Sequence, residues 1–160
     1  MKKKKETSYD EKKIFDYACW YLTRYPSSKE RLKEKLNEKT SDSALIEKVL
    51  MKLESFGYLD DREIAESVVR NFSRRGYGKK RIILKLYEKK IRDEELINEI
   101  FKEYDNQNIE DEILRKVVNK NKEKYDLSSS TGRKKFIDFL LRRGFPNEKI
   151  YNEFRRQGII

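Results

Sequence analysis

Between Arg70 and Arg92 the sequence sets ten basic residues against one acid, Glu88. Arg81, Lys85 and Lys89 recur there at i, i+4 and i+8, so on a helix they share one face. Arg70, Arg74, Arg75, Lys79 and Lys80 crowd the stretch just before them. Such a row can follow a line of phosphates, Arg offering paired hydrogen bonds and Lys a point charge. Smaller clusters stand at Arg133-Lys134-Lys135 and Arg142-Arg143. An earlier cluster of Lys29, Arg31, Lys33, Lys35 and Lys39 is diluted by Glu30, Glu34 and Glu38. The plainer reading of all these charges is a solvated helix face that keeps the chain soluble.

Catalysis finds little to work with. The chain has no histidine, which removes the commonest general base and metal ligand. Asp60-Asp61 is a paired carboxylate in a tight turn but lacks a convergent third ligand, and its place before an apolar periodic run suits helix capping. Cys19 lies in a nearly apolar run from Ile14 to Leu22 and reads as a small hydrophobe. Gly76-Tyr77-Gly78 follows no strand, so it is not a phosphate loop. No enzyme activity, cofactor or metal site is expected. Trp20 lies off the Ile14/Ala18 stripe: packing on the second helix is its expected role, and a partner-facing anchor the alternative.

The elements that must carry these charges are helices. Residues are 42% charged and 36% hydrophobic, with only six Gly and two Pro, and the polar ones are chiefly good helix formers. Eighteen Phe and Tyr argue against disorder. Sliding the chain by 50 residues aligns it with itself, the third copy needing four more residues, placed at Leu127-Ser128-Ser129-Ser130. The first helix of each copy carries Ile14/Ala18, Ile64/Val68 and Leu114/Val118. The second opens at Ser28, Gly78 and Gly132 and carries Leu32/Leu36, Ile82/Leu86 and Phe136/Leu140. The third opens at Ser43, Asp93 and Asn147 and carries Ile46/Leu50, Leu96/Ile100 and Ile150/Phe154.

This predicts helices near 10–25, 28–39, 43–56, 61–75, 79–90, 94–104, 110–125, 132–143 and 147–156. The expected architecture is all-α, three tandem three-helix repeats forming an elongated, curved stack: a basic tail over 1–9, then units 10–59, 60–109 and 110–160. Net charge is +10, with +3 in the tail, balance over residues 10–60, +2 over 61–109 and +5 over 110–160. No run is apolar enough to span a membrane, and Lys2 to Lys5 precede no apolar segment of a signal peptide. A lone cysteine cannot form an intramolecular disulfide. A cytoplasmic monomer is expected.

The run Phe56-Gly57-Tyr58-Leu59-Asp60-Asp61, then Ala65 and Arg70, then Gly76-Tyr77-Gly78 with Arg81-Ile82 and Leu86, resembles the signature of the RecX regulatory proteins. The helix from Tyr17 to Tyr25, Ser28, and Leu32 to Leu36 fit it as well, and the resemblance covers nearly the whole chain. Ile64 stands where that family usually has Phe, and Lys90 where a Gly commonly ends the second unit's middle helix before Ile91. The resemblance implies a modulator of the RecA recombinase, usually an inhibitor, which lies in the groove of the RecA–DNA filament and limits strand exchange, co-protease activity and ATP turnover. It does not say which basic residues meet RecA and which meet DNA.

Two other readings remain at this level. One is a plain DNA-binding protein, but the Arg81 face is nearly pure Lys and Arg, which suits phosphate contact more than base reading. The other is a helical scaffold with no nucleic-acid role.

Overall fold

The structure, a computed structural model, describes residues 10–160, so the basic tail lies outside the described residues. These fold as nine α-helices with no strand among them. In order they are α1 Glu11–Arg24, α2 Lys29–Asn37, α3 Ser43–Ser55, α4 Asp61–Arg74, α5 Lys79–Glu88, α6 Glu94–Asn106, α7 Ile109–Asn121, α8 Ser130–Arg142 and α9 Asn147–Arg156. A 3-10 turn at Lys122–Lys124 ends α7 earlier than its periodicity suggested. The helices run as three successive triplets, the tandem pattern read from the repeat.

The matched apolar positions explain why so polar a chain folds. Leu32, Leu36, Ile82, Leu86, Phe136 and Leu140, the paired residues of the three second helices, are all fully buried. Each such side chain contributes roughly 1.5–3 kcal/mol by leaving water. Two matched positions depart from expectation. Ile64 and Leu96 are only half-buried, and their neighbours Ala65 and Ile97 take the inward places. The departure from the resembled pattern at Ile64 therefore falls at the margin of the core.

Helix starts are set by side-chain oxygens that accept otherwise unpaired N–H groups. Asp10, Asp42 and Asp93 cap α1, α3 and α6, accepting from the N–H of Lys13, Leu45 and Leu96. Ser43 is thus the first residue of its helix, not the cap. Ser129 caps α8 by accepting from Gly132 N–H at 3.0 Å, so this helix begins before Gly132. Asn147 opens α9 behind Pro146 and makes no capping bond.

Contacts within the chain group it into two compact units: residues 10–64 with Lys89–Ile91, and Ala65–Glu88 with Arg92–Ile160. In the first, α1, α2 and α3 close over Ile14, Ala18, Leu32, Leu36, Ile46 and Leu50. The segment Lys89–Ile91 is tied in by a hydrogen bond from Ser28 Oγ to the Lys89 carbonyl at 2.7 Å and an ion pair between Lys90 and Glu34 at 3.1 Å. Lys90 has φ of +63° here. The chain is left-handed at this place, a conformation that Gly adopts more cheaply than Lys. In the second unit Tyr125, Phe136 and Phe154 form a ring stack, with centroids 4.6 and 5.4 Å apart along it.

Candidate nucleic-acid interface

The basic clusters of α4–α5 and α8, more than sixty residues apart in sequence, meet at one corner of the second unit. Past the end of α4 the chain turns through Gly76-Tyr77-Gly78, and past the end of α8 through Arg143-Gly144-Phe145. The two turns are joined backbone to backbone: Gly78 N–H donates to the Arg143 carbonyl at 2.8 Å and Lys80 N–H to the Gly144 carbonyl at 3.3 Å. This approach explains two of the glycines. A Cβ on Gly78 would stand 2.6 Å from the Gly144 oxygen, and one on Gly144, whose φ is +94°, would stand 2.4 Å from Arg81 N.

Arg143 locks the corner. Its Nη1 donates to the carbonyls of Arg75 at 2.8 Å and Gly76 at 3.0 Å, satisfying oxygens left over at the end of α4. The same guanidinium lies 5.0 Å from the ring centre of Tyr77 and 5.1 Å from that of Phe139. Arg75 covers Phe72 at 5.0 Å and Tyr77 at 5.5 Å. Tyr77, in the motif, thus sits between two guanidinium groups and orders both by cation–π attraction.

The remaining basic residues divide by what the fold has done with their charge. Arg70, Arg74, Lys80, Arg81, Lys134, Lys135 and Arg142 are exposed. Lys79 is committed inside the unit, pairing with Asp105 at 2.6 Å and lying over Phe101 at 5.1 Å. Lys85 pairs with Glu88 at 2.7 Å, and that ammonium holds the Glu88 carboxyl below its usual range. Arg133 turns back on its own loop, donating to the carbonyls of Leu127 and Ser128 at 2.8 and 2.9 Å. Lys89 belongs to the first unit, where its carbonyl receives Ser28. Lys134 and Lys135 stand about two turns up α8 from Arg142, roughly 11 Å along the axis. The predicted row is therefore not one continuous face. Arg74, Arg75, Lys80, Arg81, Arg142 and Arg143 gather at the corner, and the others are distributed away from it or internally neutralised.

A groove of about 630 Å³ opens beside this corner and adds residues that sequence reasoning passed over. The end of α4 forms one wall with Arg74 and Arg75, and one face of α7 forms the other with Lys116 and Lys120, continued by Lys124 and closed by Arg143. Glu112 is the one acid lining it. Lys116 and Lys120 carry the same i, i+4 spacing as Arg81 and Lys85, with Lys124 following on the 3-10 turn, and the sequence reading did not weigh them. Two of the three acids at the start of α7 face elsewhere. Glu110 is buried, accepting Lys79 N–H at 2.7 Å and pairing with Lys149 at 3.3 Å, while Asp111 takes Lys149 at 2.8 Å. Burial works to lower the Lys149 pKa, but the hydrogen bond it donates to Asp111 and the charge of Glu110 outweigh it, and the ammonium is held above its usual value.

The other chemical candidates resolve as structural groups. Asp60 caps α4, accepting Glu63 N–H at 3.0 Å. Asp61 instead reaches the start of a different helix, accepting the N–H of Lys29 on α2 at 2.9 Å. Burial, aided by the nearby charges of Glu54 and Asp60, raises its carboxyl pKa against the pull of that N–H. Cys19 is half-buried, and burial pushes its thiol up, away from the reactive thiolate. Trp20 corrects the expectation of core packing: it is 48% exposed, stacked on Tyr17 at 5.7 Å and covered by Arg24 at 5.0 Å. Gly57 ends the α3 turn with φ of +72°, Tyr58 is exposed, and Leu59 and Ala65 are buried, so that part of the motif serves the fold. Among the described residues no group of acids and cysteine could hold a metal, and no helix is long and apolar enough to cross a membrane.

Comparison with known proteins agrees with the motif. No protein-family model matches the chain. A curated relative named Regulatory protein RecX, from Chlorobium phaeobacteroides (strain BS1), is 33% identical over 144 residues, covering 88% of this chain and 91% of the relative. One of the same name from Pelodictyon phaeoclathratiforme is 33% identical over 140 residues, covering 87% and 85%. The crystal structure of RecX from Lactobacillus salivarius matches with a TM-score of 0.81 across 94% of this chain and 97% of that one, at 23% identity, a likeness of fold. With a third of its residues shared along nearly its whole length and the same all-helical architecture, the chain belongs to the RecX family of regulatory proteins.

Proposed function

We propose that this protein binds the filament that RecA forms on DNA and restrains it, limiting ATP turnover, strand exchange and co-protease activity. The observation that carries the reading is the corner itself: turns from α4–α5 and α8–α9 are bonded backbone to backbone and hold an array of exposed cations around them. A rigid, uncompensated cationic surface on a chain without histidine or a metal-binding cluster among its described residues suits docking on a polyanionic assembly. The protein acts by binding, not by chemistry of its own, and the contacts with DNA are to phosphates. It works in the cytoplasm as a monomer without a cofactor.

Purified protein added to RecA and single-stranded DNA is expected to slow ATP hydrolysis and strand exchange. The reversal of Arg74, Arg75, Arg81 and Lys85 to Glu is expected to remove most of that effect while remaining folded by circular dichroism. Absence of inhibition by the wild type over a wide concentration range would rule the reading out.

A further inference from the structure

The α7 groove concentrates cations that the fold leaves without an acid partner. Arg74, Arg75, Lys116, Lys120, Lys124 and Arg143 bring six positive charges to a space of about 630 Å³ with Glu112 as the one acid. Three other lysines of this unit are neutralised, Lys79 by Asp105, Lys85 by Glu88 and Lys149 by Asp111, and the exposed Lys80, Lys134 and Lys135 lie outside the groove. Lys124 donates only to a neutral amide, Asn121 Oδ1 at 3.0 Å, and the Arg143 guanidinium only to backbone carbonyls. Clustering like charges costs stability, and an anionic ligand relieves that cost.

We infer that this groove is a binding site for the phosphodiester backbone of a single-stranded nucleic acid, with Lys116, Lys120 and Lys124 as its phosphate contacts. The inference rests on the filament reading and assigns a place on the chain to the strand. Lys116 and Lys120 follow one another at one turn of α7, about 6 Å apart along its axis, and Lys124 continues them on the 3-10 turn. This suits a ligand that repeats one charge at a short regular interval. The arginines of the opposite wall are preset, Arg143 by its carbonyl bonds and Arg75 by the rings of Phe72 and Tyr77.

The floor decides between strand and peptide. Ile113 and Val117 lie at the bottom but are only 9% and 7% exposed. Ile109 is the one half-buried apolar side chain of the lining, a small target for the apolar anchor that an acidic peptide needs to bind tightly. A backbone of phosphates needs none. Width decides between single strand and duplex. Gly76 lies against Val117, so the two walls meet at the floor of a narrow cleft. A flexible single strand can follow such a cleft, whereas a stiff duplex meets only its rim.

The test is fluorescence anisotropy with the full chain and a labelled oligothymidylate, over a salt series. Lys116→Glu with Lys120→Glu is expected to weaken binding at least tenfold. The milder Lys116→Gln with Lys120→Gln, which keeps the helix should the reversal disturb folding, is expected to flatten the plot of log affinity against log salt by about 0.7 per contact removed. Lys12→Gln with Lys13→Gln, on exposed residues of α1, lowers net charge equally and is expected to change little. Groove variants that bind like this control would overturn the site. Equal binding of blunt duplex would overturn the choice of strand, and equal competition by a glutamate peptide of matched charge would assign the groove to a protein segment. None of these readouts contains RecA, so failure of the groove and failure of the filament reading are separate results.

Discussion

The carboxylate of Glu110 accepts the backbone N–H of Lys79 at 2.7 Å, so a side chain at the start of α7 caps α5, a helix that begins 31 residues earlier. The first unit repeats the arrangement. Asp61, the first residue of α4, accepts Lys29 N–H at the start of α2, 32 residues back. In both, the acid opening one triplet caps the middle helix of the triplet before it. A carboxylate also favours the positive end of the helix it caps.

Glu110→Gln keeps an oxygen acceptor for Lys79 but removes the charge facing Lys149, and is expected to cost about 1–2 kcal/mol. Glu110→Ala leaves Lys79 N–H without its acceptor and the Lys149 charge with Asp111 alone, and is expected to cost about 3 kcal/mol. Urea unfolding with equal slopes would measure both. Equal stability of Ala and Gln variants would show that the cap contributes nothing.

Asp61 makes the first unit sensitive to pH. Its carboxyl pKa is raised in the fold, chiefly by burial. The native state therefore binds more protons than the unfolded chain between the ordinary carboxylate value and the raised one, and this group's contribution falls as pH rises through that window. Asp61→Asn still offers an oxygen to Lys29 and carries no charge to desolvate. Its stability relative to the wild type is expected to improve with rising pH across the window, then level off. A difference that stays flat from acid to neutral pH would contradict this.

Lys90→Gly is expected to stabilise the protein modestly. The left-handed backbone at Lys90 costs a non-glycine residue about 1–2 kcal/mol. Glycine removes this strain but gives the unfolded chain about 0.4–1 kcal/mol more entropy and loses the ion pair with Glu34. A rise of a few degrees in thermal midpoint is expected, and a fall would mean that the pair outweighs the strain.

Gly144→Ala tests the corner. A methyl group would meet Arg81 N at 2.4 Å on a backbone that L-residues avoid, so a loss of about 2 kcal/mol or more is expected. Arg143→Lys keeps the charge but not the forked geometry that reaches two carbonyls. It is expected to lose about 1–3 kcal/mol and to weaken the proposed inhibition of RecA by loosening Arg75, with the net charge unchanged. An Arg143→Lys protein as stable and as inhibitory as wild type would show that charge alone matters there.

The repeat, the helix count and most of the core were readable in the sequence. A helix with an apolar stripe has only one way to face its neighbours, and the spacing of Leu32/Leu36, Ile82/Leu86 and Phe136/Leu140 states it three times. The family motif was readable for a related reason: its Gly78 marks a place where two backbones touch. What periodicity could not assign was the fate of each charge. Lys79, Lys85 and Arg133 look as free as Lys80 and Arg81 along the chain, yet they are spent on Asp105, on Glu88 and on the carbonyls of Leu127 and Ser128. Lys116, Lys120 and Lys124 follow the acids Glu110 and Asp111 along the chain, yet those acids turn inward to Lys79 and Lys149. Burial of apolar side chains depends on local period, which a sequence carries in itself. The net charge of a surface depends on which distant residues come within a few ångströms, and only the tertiary structure decided that.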